Sequence, residues 1–364
     1  MESKNSNAKG FIFYLKKLVF TLIVVVVIFE LLTYFLSMAL GFATYFFTPS
    51  GLSTSKQSIE RLPIYIFFLF NVVIPLPINI GDLFLSLWIM YIVCLATTLL
   101  GPKLNFIEAL KKPSNSIFSN SLFALTLLAN AAFFLTIAIQ TLQETQGIPT
   151  GNPFASQTNS YLLFLILAYA PIVEELGFRI IPLGFMFLIF FRTILKSRED
   201  ASLKKKSLFL SFLYPEYVKE ELKLKTFKRN GIKAITDTEW IAVFITAVAF
   251  GLAHYLAGWE VGKITSTFVV GLILSISYII YGICAPILIH WFLNFYWEAL
   301  SLGADLQPTL LTPFVDFMYY FSIAVGSVFC AYILTRALQR PLEKIILPKD
   351  SQVESAGPTN ENLS

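Results

Sequence analysis

The chain alternates between long apolar blocks and short polar connections. Apolar blocks cover about Val19 into the 40s, Asp82 to Leu100, Phe118 to Leu142, Tyr161 to Leu195, Trp240 to Leu256, Thr265 to Ile283, Ala285 to Leu300 and Pro313 to Leu338. Most approach or exceed the roughly 20 residues a helix needs to cross a bilayer. With 56% hydrophobic residues and 14% charged over 364 positions, the chain holds more apolar surface than a soluble fold of that length buries. The pattern predicts an all-α polytopic membrane bundle of about eight transmembrane helices.

Charge along the connections sets the orientation. Lys4, Lys9, Lys16 and Lys17 precede the first span, and Lys103, Lys111 and Lys112 occupy the loop 101–117. Residues 196–239 hold eleven basic against seven acidic residues, and Arg340, Lys344 and Lys349 follow the last span. Positively charged connections stay on the cytoplasmic side, which predicts both termini inside. The loop after Leu142 and the stretch Gly303 to Gln307 carry no lysine or arginine and are expected outside. The loop Thr48 to Glu60, with Lys56 and Arg61 close by, is the exception to this alternation.

Two stretches break the rhythm. Leu62 to Ile80 contains Pro63, Pro75 and Pro77 with Asn71 and Asn79, and reads as re-entrant or interfacial rather than a clean crossing. Tyr161 to Leu195 is too long for one crossing, so Pro171 and Pro182 are expected to bend it near Glu174. A shorter helix then follows on the cytoplasmic side. The basic run in 196–239 is expected to be a solvated loop able to touch anionic lipid; interleaved acids argue against nucleic acid. Cys94, Cys284 and Cys330 show no metal-ligand spacing and read as small buried hydrophobes. The organisation is therefore N-terminal helices over 1–159, a core over 160–300 with its insertion 196–239, a last helix and basic end over 301–350, and a disordered tail over 351–364.

Ionisable groups at membrane depth are expensive, which makes them functional candidates. Glu174, Glu175 and Arg179 lie inside an apolar run; Glu175 and Arg179 are one turn apart and can pair, leaving Glu174 free. Both histidines of the chain, His254 and His290, also fall in spans, with Phe250 one turn before the first and Asn294 one turn after the second. The cheapest solution is that these groups satisfy one another around one wet cavity. Two hydrolytic routes follow. Glu174 with a histidine can deprotonate a water while His290 and Asn294 donate to an oxyanion. Alternatively Glu174, His254 and His290 hold a zinc ion with an open position for water. A proton-coupled carrier is a weaker reading, since no inverted repeat is visible. A non-enzymatic immunity or scaffold protein is the main alternative.

The order E-E-x-x-x-R, F-x-x-x-H and H-x-x-x-N over residues 160–300 resembles the CPBP (Abi) intramembrane protease family, which includes type II CAAX prenyl endopeptidases. The resemblance implies that Glu174 activates water with His254, that His290 and Asn294 form the oxyanion hole, and that Glu175 and Arg179 orient Glu174. It also implies membrane-anchored or lipidated peptide substrates, either no cofactor or zinc, and an integral plasma-membrane protein whose site opens toward the cytoplasm. One tension is internal to the sequence. At about 1.5 Å per residue, His254 falls nearer the external face than Glu174 and His290 do.

Overall fold

In the computed structural model the described residues are 2–67, 70–101, 106–111, 120–157, 159–195 and 201–346. The expected disordered tail 351–364 and most of the loop 101–117 lie outside them. The fold is a helical bundle with one added hairpin. Helix α1 (Glu2–Phe47) and the short α2 (Pro49–Ser55) lead into strands β1 (Ser58–Ile66) and β2 (Phe70–Asn79). Then come α3 (Ile80–Leu100), α4 (Phe106–Leu110), α5 (Ser121–Thr145), α6 (Ser160–Glu175) and α7 (Ile181–Leu195).

Residues 201–234 form α8 (Ala201–Leu213), α9 (Pro215–Glu221) and α10 (Phe227–Asn230). The last part of the bundle is α11 (Asp237–Leu256), α12 (Lys263–Tyr281), α13 (Cys284–Trp291), α14 (Trp297–Leu306) and α15 (Pro308–Ile346).

Seven helical segments among the described residues are long and apolar enough to cross a membrane. They match seven of the eight sequence blocks. The eighth block lies in the unbroken helical run Cys284–Leu306, whose apolarity is lowered by His290, Asn294 and Glu298. That run sits inside the bundle. Trp291, Phe292, Phe295 and Tyr296 are fully buried and interlock with Tyr34, Tyr91, Phe84 and Phe164 from α1, α3 and α6. A helix sheathed by other helices needs less apolarity than one that faces lipid. By contrast Leu22, Leu32 and Phe35 of α1, Ile189 of α7 and Val328 of α15 are exposed, as a lipid-facing surface requires.

One expectation is made specific and two are corrected. The segment 62–80 is mostly a β-hairpin. Its strands pair antiparallel from Ile66↔Phe70 to Ser58↔Asn79, with a shift between Ile59 and Arg61. Pro75 and Pro77 are accommodated because β2 is hydrogen-bonded only to β1, and an edge strand tolerates missing donors. Open sheet edges do not persist in the hydrocarbon core, so the hairpin belongs to the interfacial layer.

Secondly, the long run Ser160–Leu195 is not divided at its prolines. The interruption is a π-helical turn, Leu176–Ile180, lying between them. Thirdly, residues 201–239 are an ordered cap rather than a solvated loop. Tyr278 Oη donates to the Phe212 carbonyl at 2.8 Å, and Ile283 N to the Leu213 carbonyl at 3.0 Å. Lys219 and Glu239 form a buried ion pair at 2.6 Å. Glu239 also completes a capping box with Thr236, which fixes the start of α11.

Of the cysteines, Cys94 and Cys284 are free and buried, as the sequence reading expects.

Candidate active site

Of the six residues singled out in the sequence, Glu174, His254, His290 and Asn294 line a cavity of about 490 Å³, while Glu175 and Arg179 connect to it through His290. Glu174 comes from the last turn of α6, and Glu175 from the residue before the π turn that carries Arg179. His254 comes from the last turn of α11. His290 comes from α13, and Asn294 from a second π turn, Phe292–Tyr296. Isolated π turns inside α-helices are frequent at functional sites. Here two of the three motif-bearing helical runs contain one.

Glu174 Oε2 faces two imidazoles, His290 Nε2 at 3.8 Å and His254 Nε2 at 4.0 Å. That oxygen is buried and accepts no hydrogen bond among the described residues. His254 Nδ1 lies 2.9 Å from the Phe250 carbonyl. A carbonyl only accepts, so Nδ1 carries the proton and Nε2 of a neutral His254 is left as an acceptor. The motif's phenylalanine thus contributes its backbone to the histidine's tautomer. Two acceptors 4.0 Å apart cannot bond each other directly, but one water donating both hydrogens spans that distance.

His290 is fixed differently. Its Nδ1 donates to Glu175 Oε1 at 2.8 Å, and Asn294 Nδ2 donates to its Nε2 at 3.3 Å. Glu175 Oε1 also accepts from Arg179 Nη1 at 3.0 Å, with both side chains fully buried. The guanidinium lies 4.0 Å from the centre of the Phe250 ring, a cation–π contact at membrane depth. The expectation was that Glu175 and Arg179 orient Glu174. Glu175 instead contacts His290 Nδ1, and Arg179 contacts Glu175. Asn294 spends one of its two amide hydrogens on His290 and keeps the other for a further acceptor.

The tension over His254 is resolved by where the helices begin. The Thr236 cap and the Lys219–Glu239 pair start α11 within the packed 201–239 unit. A helix that begins below its neighbours brings its eighteenth residue, His254, level with theirs. Close approach helps: a Cβ on Gly251 would sit 2.8 Å from the Ile264 carbonyl, so only glycine allows this crossing of α11 and α12.

Sequence reasoning missed most of the cavity wall. Arg61, Pro63 and Tyr65 of β1 line it, with Tyr169, Trp259, Lys263 and Thr267. The hairpin is tied down by Tyr169 Oη donating to the Pro63 carbonyl at 2.8 Å, and by Tyr65 packed on Gly177. Lys263 alone left a signal, as a lone cation opening an apolar run. Phe154 and Trp259, whose rings meet edge to face, line it as well, with Arg61. The loops 146–159 and 257–262 meet there, with Gly262 N donating to the Pro149 carbonyl at 3.0 Å. This is the opposite end of α11 from the basic segment 196–239.

Glu174, His254 and His290 are the candidate zinc ligands. Separations of 3.8 and 4.0 Å exceed the about 3.3 Å between neighbouring ligands on a tetrahedral zinc with bonds of about 2.0 Å. His290 Nε2 is also engaged by Asn294. Among the described residues no group of three or more His, Cys, Asp or Glu is arranged to hold a metal. As placed, the residues do not fit the ion.

Residues 156–296 match a family model described as type II CAAX prenyl endopeptidase Rce1-like. No curated protein and no solved structure matches the chain.

Proposed function

Through residues 156–296 the chain belongs to the type II CAAX prenyl endopeptidase Rce1-like family, and from that membership and the site's geometry we propose an endopeptidase that cleaves membrane-associated peptides with a glutamate-activated water. The observation that carries this reading is the pair of facing acceptors, Glu174 Oε2 and His254 Nε2, 4.0 Å apart. A water between them is oriented by two hydrogen bonds, with a lone pair directed into the cavity. Glu174 takes one proton as the oxygen attacks the peptide carbonyl carbon. The carbonyl π electrons move to oxygen, and the free N–H of Asn294 is the donor nearest at hand for that oxyanion. Glu174 then returns the proton to the leaving amine as the C–N bond breaks.

His290 holds Asn294 in place and is itself held by Glu175 and Arg179. In its neutral form, with Nδ1 protonated, it accepts at Nε2. It joins the oxyanion's donors only when Nε2 carries a proton. Zinc would supply a Lewis acid and a metal-bound hydroxide if it were held here. Metal analysis of active protein distinguishes that case.

The charge distribution bears on which face the cavity opens to, which was expected to be the cytoplasmic one. If the basic segment 196–239 is cytoplasmic, a mouth at the other end of α11 opens on the opposite face. Substrates then reach Glu174 from that face or laterally past the hairpin.

The test uses detergent-purified protein and peptides carrying a hydrocarbon anchor. Wild type is expected to release a C-terminal fragment, and Glu174→Gln to lose at least about a thousandfold in kcat. Undiminished cleavage by folded Glu174→Gln would overturn the assignment. Lack of cleavage of any anchored peptide would favour the non-enzymatic alternative.

A further inference from the structure

Glu30 is another carboxylate at membrane depth, and the hydrolytic scheme does not use it. It lies inside the first span and is fully buried, and neither of its oxygens accepts a hydrogen bond among the described residues. An ionisable group so placed is costly unless something pairs with it, which makes it a functional candidate. Tyr34, one turn further along α1, is also buried, and its hydroxyl has no hydrogen-bond partner either.

Helix α5 contributes Thr126 and Asn130, again one turn apart and fully buried. Asn130 Nδ2 donates to the Thr126 carbonyl at 2.9 Å, and Asn130 Oδ1 is left unbonded. The Glu30 carboxyl interacts electrostatically with the Asn130 amide and with the phenols of Tyr34 and Tyr296, which puts these groups in one part of the bundle core. Ser322 of α15 buries a further unbonded hydroxyl. One turn later, Gly326 lies so close to α5 that a Cβ would meet the Asn130 carbonyl, so that face of α15 packs at the same level.

The unbonded atoms are therefore five oxygens: Glu30 Oε1 and Oε2, Tyr34 Oη, Asn130 Oδ1 and Ser322 Oγ. Carboxylate and amide oxygens only accept, so they cannot satisfy one another. A proton on Glu30 would supply a single hydrogen to this set. A cation satisfies every lone pair turned toward it, and donors that are all oxygen suit a hard ion. One carboxylate balances one positive charge, which favours a monovalent ion over calcium or magnesium.

We propose that Glu30, Tyr34 and Asn130 bind a small monovalent cation between α1 and α5, with Ser322 as a further donor. None of these residues lines the cavity of Glu174, so the site is a separate one. It is nevertheless tied to the catalytic helix. Tyr296 Oη donates to Thr33 Oγ1 at 3.0 Å, and Thr33 Oγ1 donates to the Glu30 carbonyl at 2.8 Å. Tyr296 ends the π turn that carries Asn294, so an ion on Glu30 steadies α1 against that turn. The site stands whether or not the chain cleaves peptides.

The experiment follows melting of the full-length protein in detergent, in sodium chloride and in choline chloride at equal ionic strength and at several pH values. Sodium at about a hundred times its Kd is expected to raise the melting temperature by roughly 4 °C, and choline to leave it unchanged. Glu30→Gln is expected to abolish the sodium response, and Asn130→Ala to weaken the apparent sodium affinity by roughly tenfold. Asn130→Asp adds a second carboxylate and is expected to pass the response to calcium. Equal melting in sodium and choline overturns the proposal, and a dependence on pH alone would identify a protonated carboxyl in place of an ion. A sodium response that survives intact in Glu30→Gln also overturns it. Should Glu30→Gln not fold, Tyr34→Phe and Asn130→Ala decide, and unchanged sodium affinity in both overturns the site.

Discussion

The buried triad of Arg179, Glu175 and His290 offers the sharpest test of how the site is held. Glu175 accepts from Arg179 at 3.0 Å and from His290 at 2.8 Å, and both members of the ion pair are fully buried. Removing one partner of such a pair leaves an uncompensated buried charge and costs about 3–5 kcal/mol. Arg179→Met leaves Glu175 still accepting from His290, and should sit near the lower end, at about 3 kcal/mol. Glu175→Leu leaves the guanidinium with the Phe250 face at 4.0 Å, which offsets about 2 kcal/mol, so about 1–3 kcal/mol remains.

The double substitution removes both charges and should cost less than the sum of the singles by at least about 2 kcal/mol. Denaturant titration in detergent measures the three values. Peptide cleavage by the same proteins supplies the second axis. In the double variant His290 Nδ1 loses its acceptor, so kcat should stay low although stability returns. Additive stability effects would refute the pairing, and a double variant as active as wild type would refute the positioning of His290 through Glu175.

Glu174 should behave in the opposite way. Its Oε2 is buried without a hydrogen-bond partner, so Glu174→Gln removes a poorly satisfied carboxylate and should leave the melting temperature unchanged or raised while abolishing cleavage; a strongly destabilised variant would contradict this. Lys219→Met should cost about 3 kcal/mol by stranding Glu239, with a rise in KM as His254 is displaced, measured by melting and kinetics. Orientation is open to thiol labelling on a background lacking Cys94, Cys284 and Cys330. An impermeant reagent on intact cells should modify Gln146→Cys and spare Lys228→Cys, and the reverse pattern would put the cavity mouth on the cytoplasmic side. Metal analysis with and without a chelator should find cleavage by protein holding no stoichiometric zinc; activity that tracks zinc would show that the ligand atoms move closer than 3.8 Å.

The sequence by itself determined the class of fold and the members of the site. Long apolar blocks leave a chain few options in a bilayer, where backbone groups must be satisfied within the helix. The same economy revealed Glu174, Glu175, Arg179, His254, His290 and Asn294, because polar groups at depth must find one another. Several decisions were left to the tertiary structure. Proline content marked 62–80 as irregular without distinguishing a hairpin from a re-entrant loop, since the strands exist only by pairing and by resting on Tyr169 and Gly177. Counting residues along α11 put His254 at the wrong height, because its starting level is set by Lys219 from another segment. Spacing gave Arg179 a partner in Glu175 but could not show that Glu175 also holds His290, 115 positions away. Lys263 and Arg61 look like ordinary loop-end cations in the sequence. Only the packing of β1, α6 and α12 places them on the wall of Glu174's cavity, because a cavity belongs to the space between elements and not to any one of them.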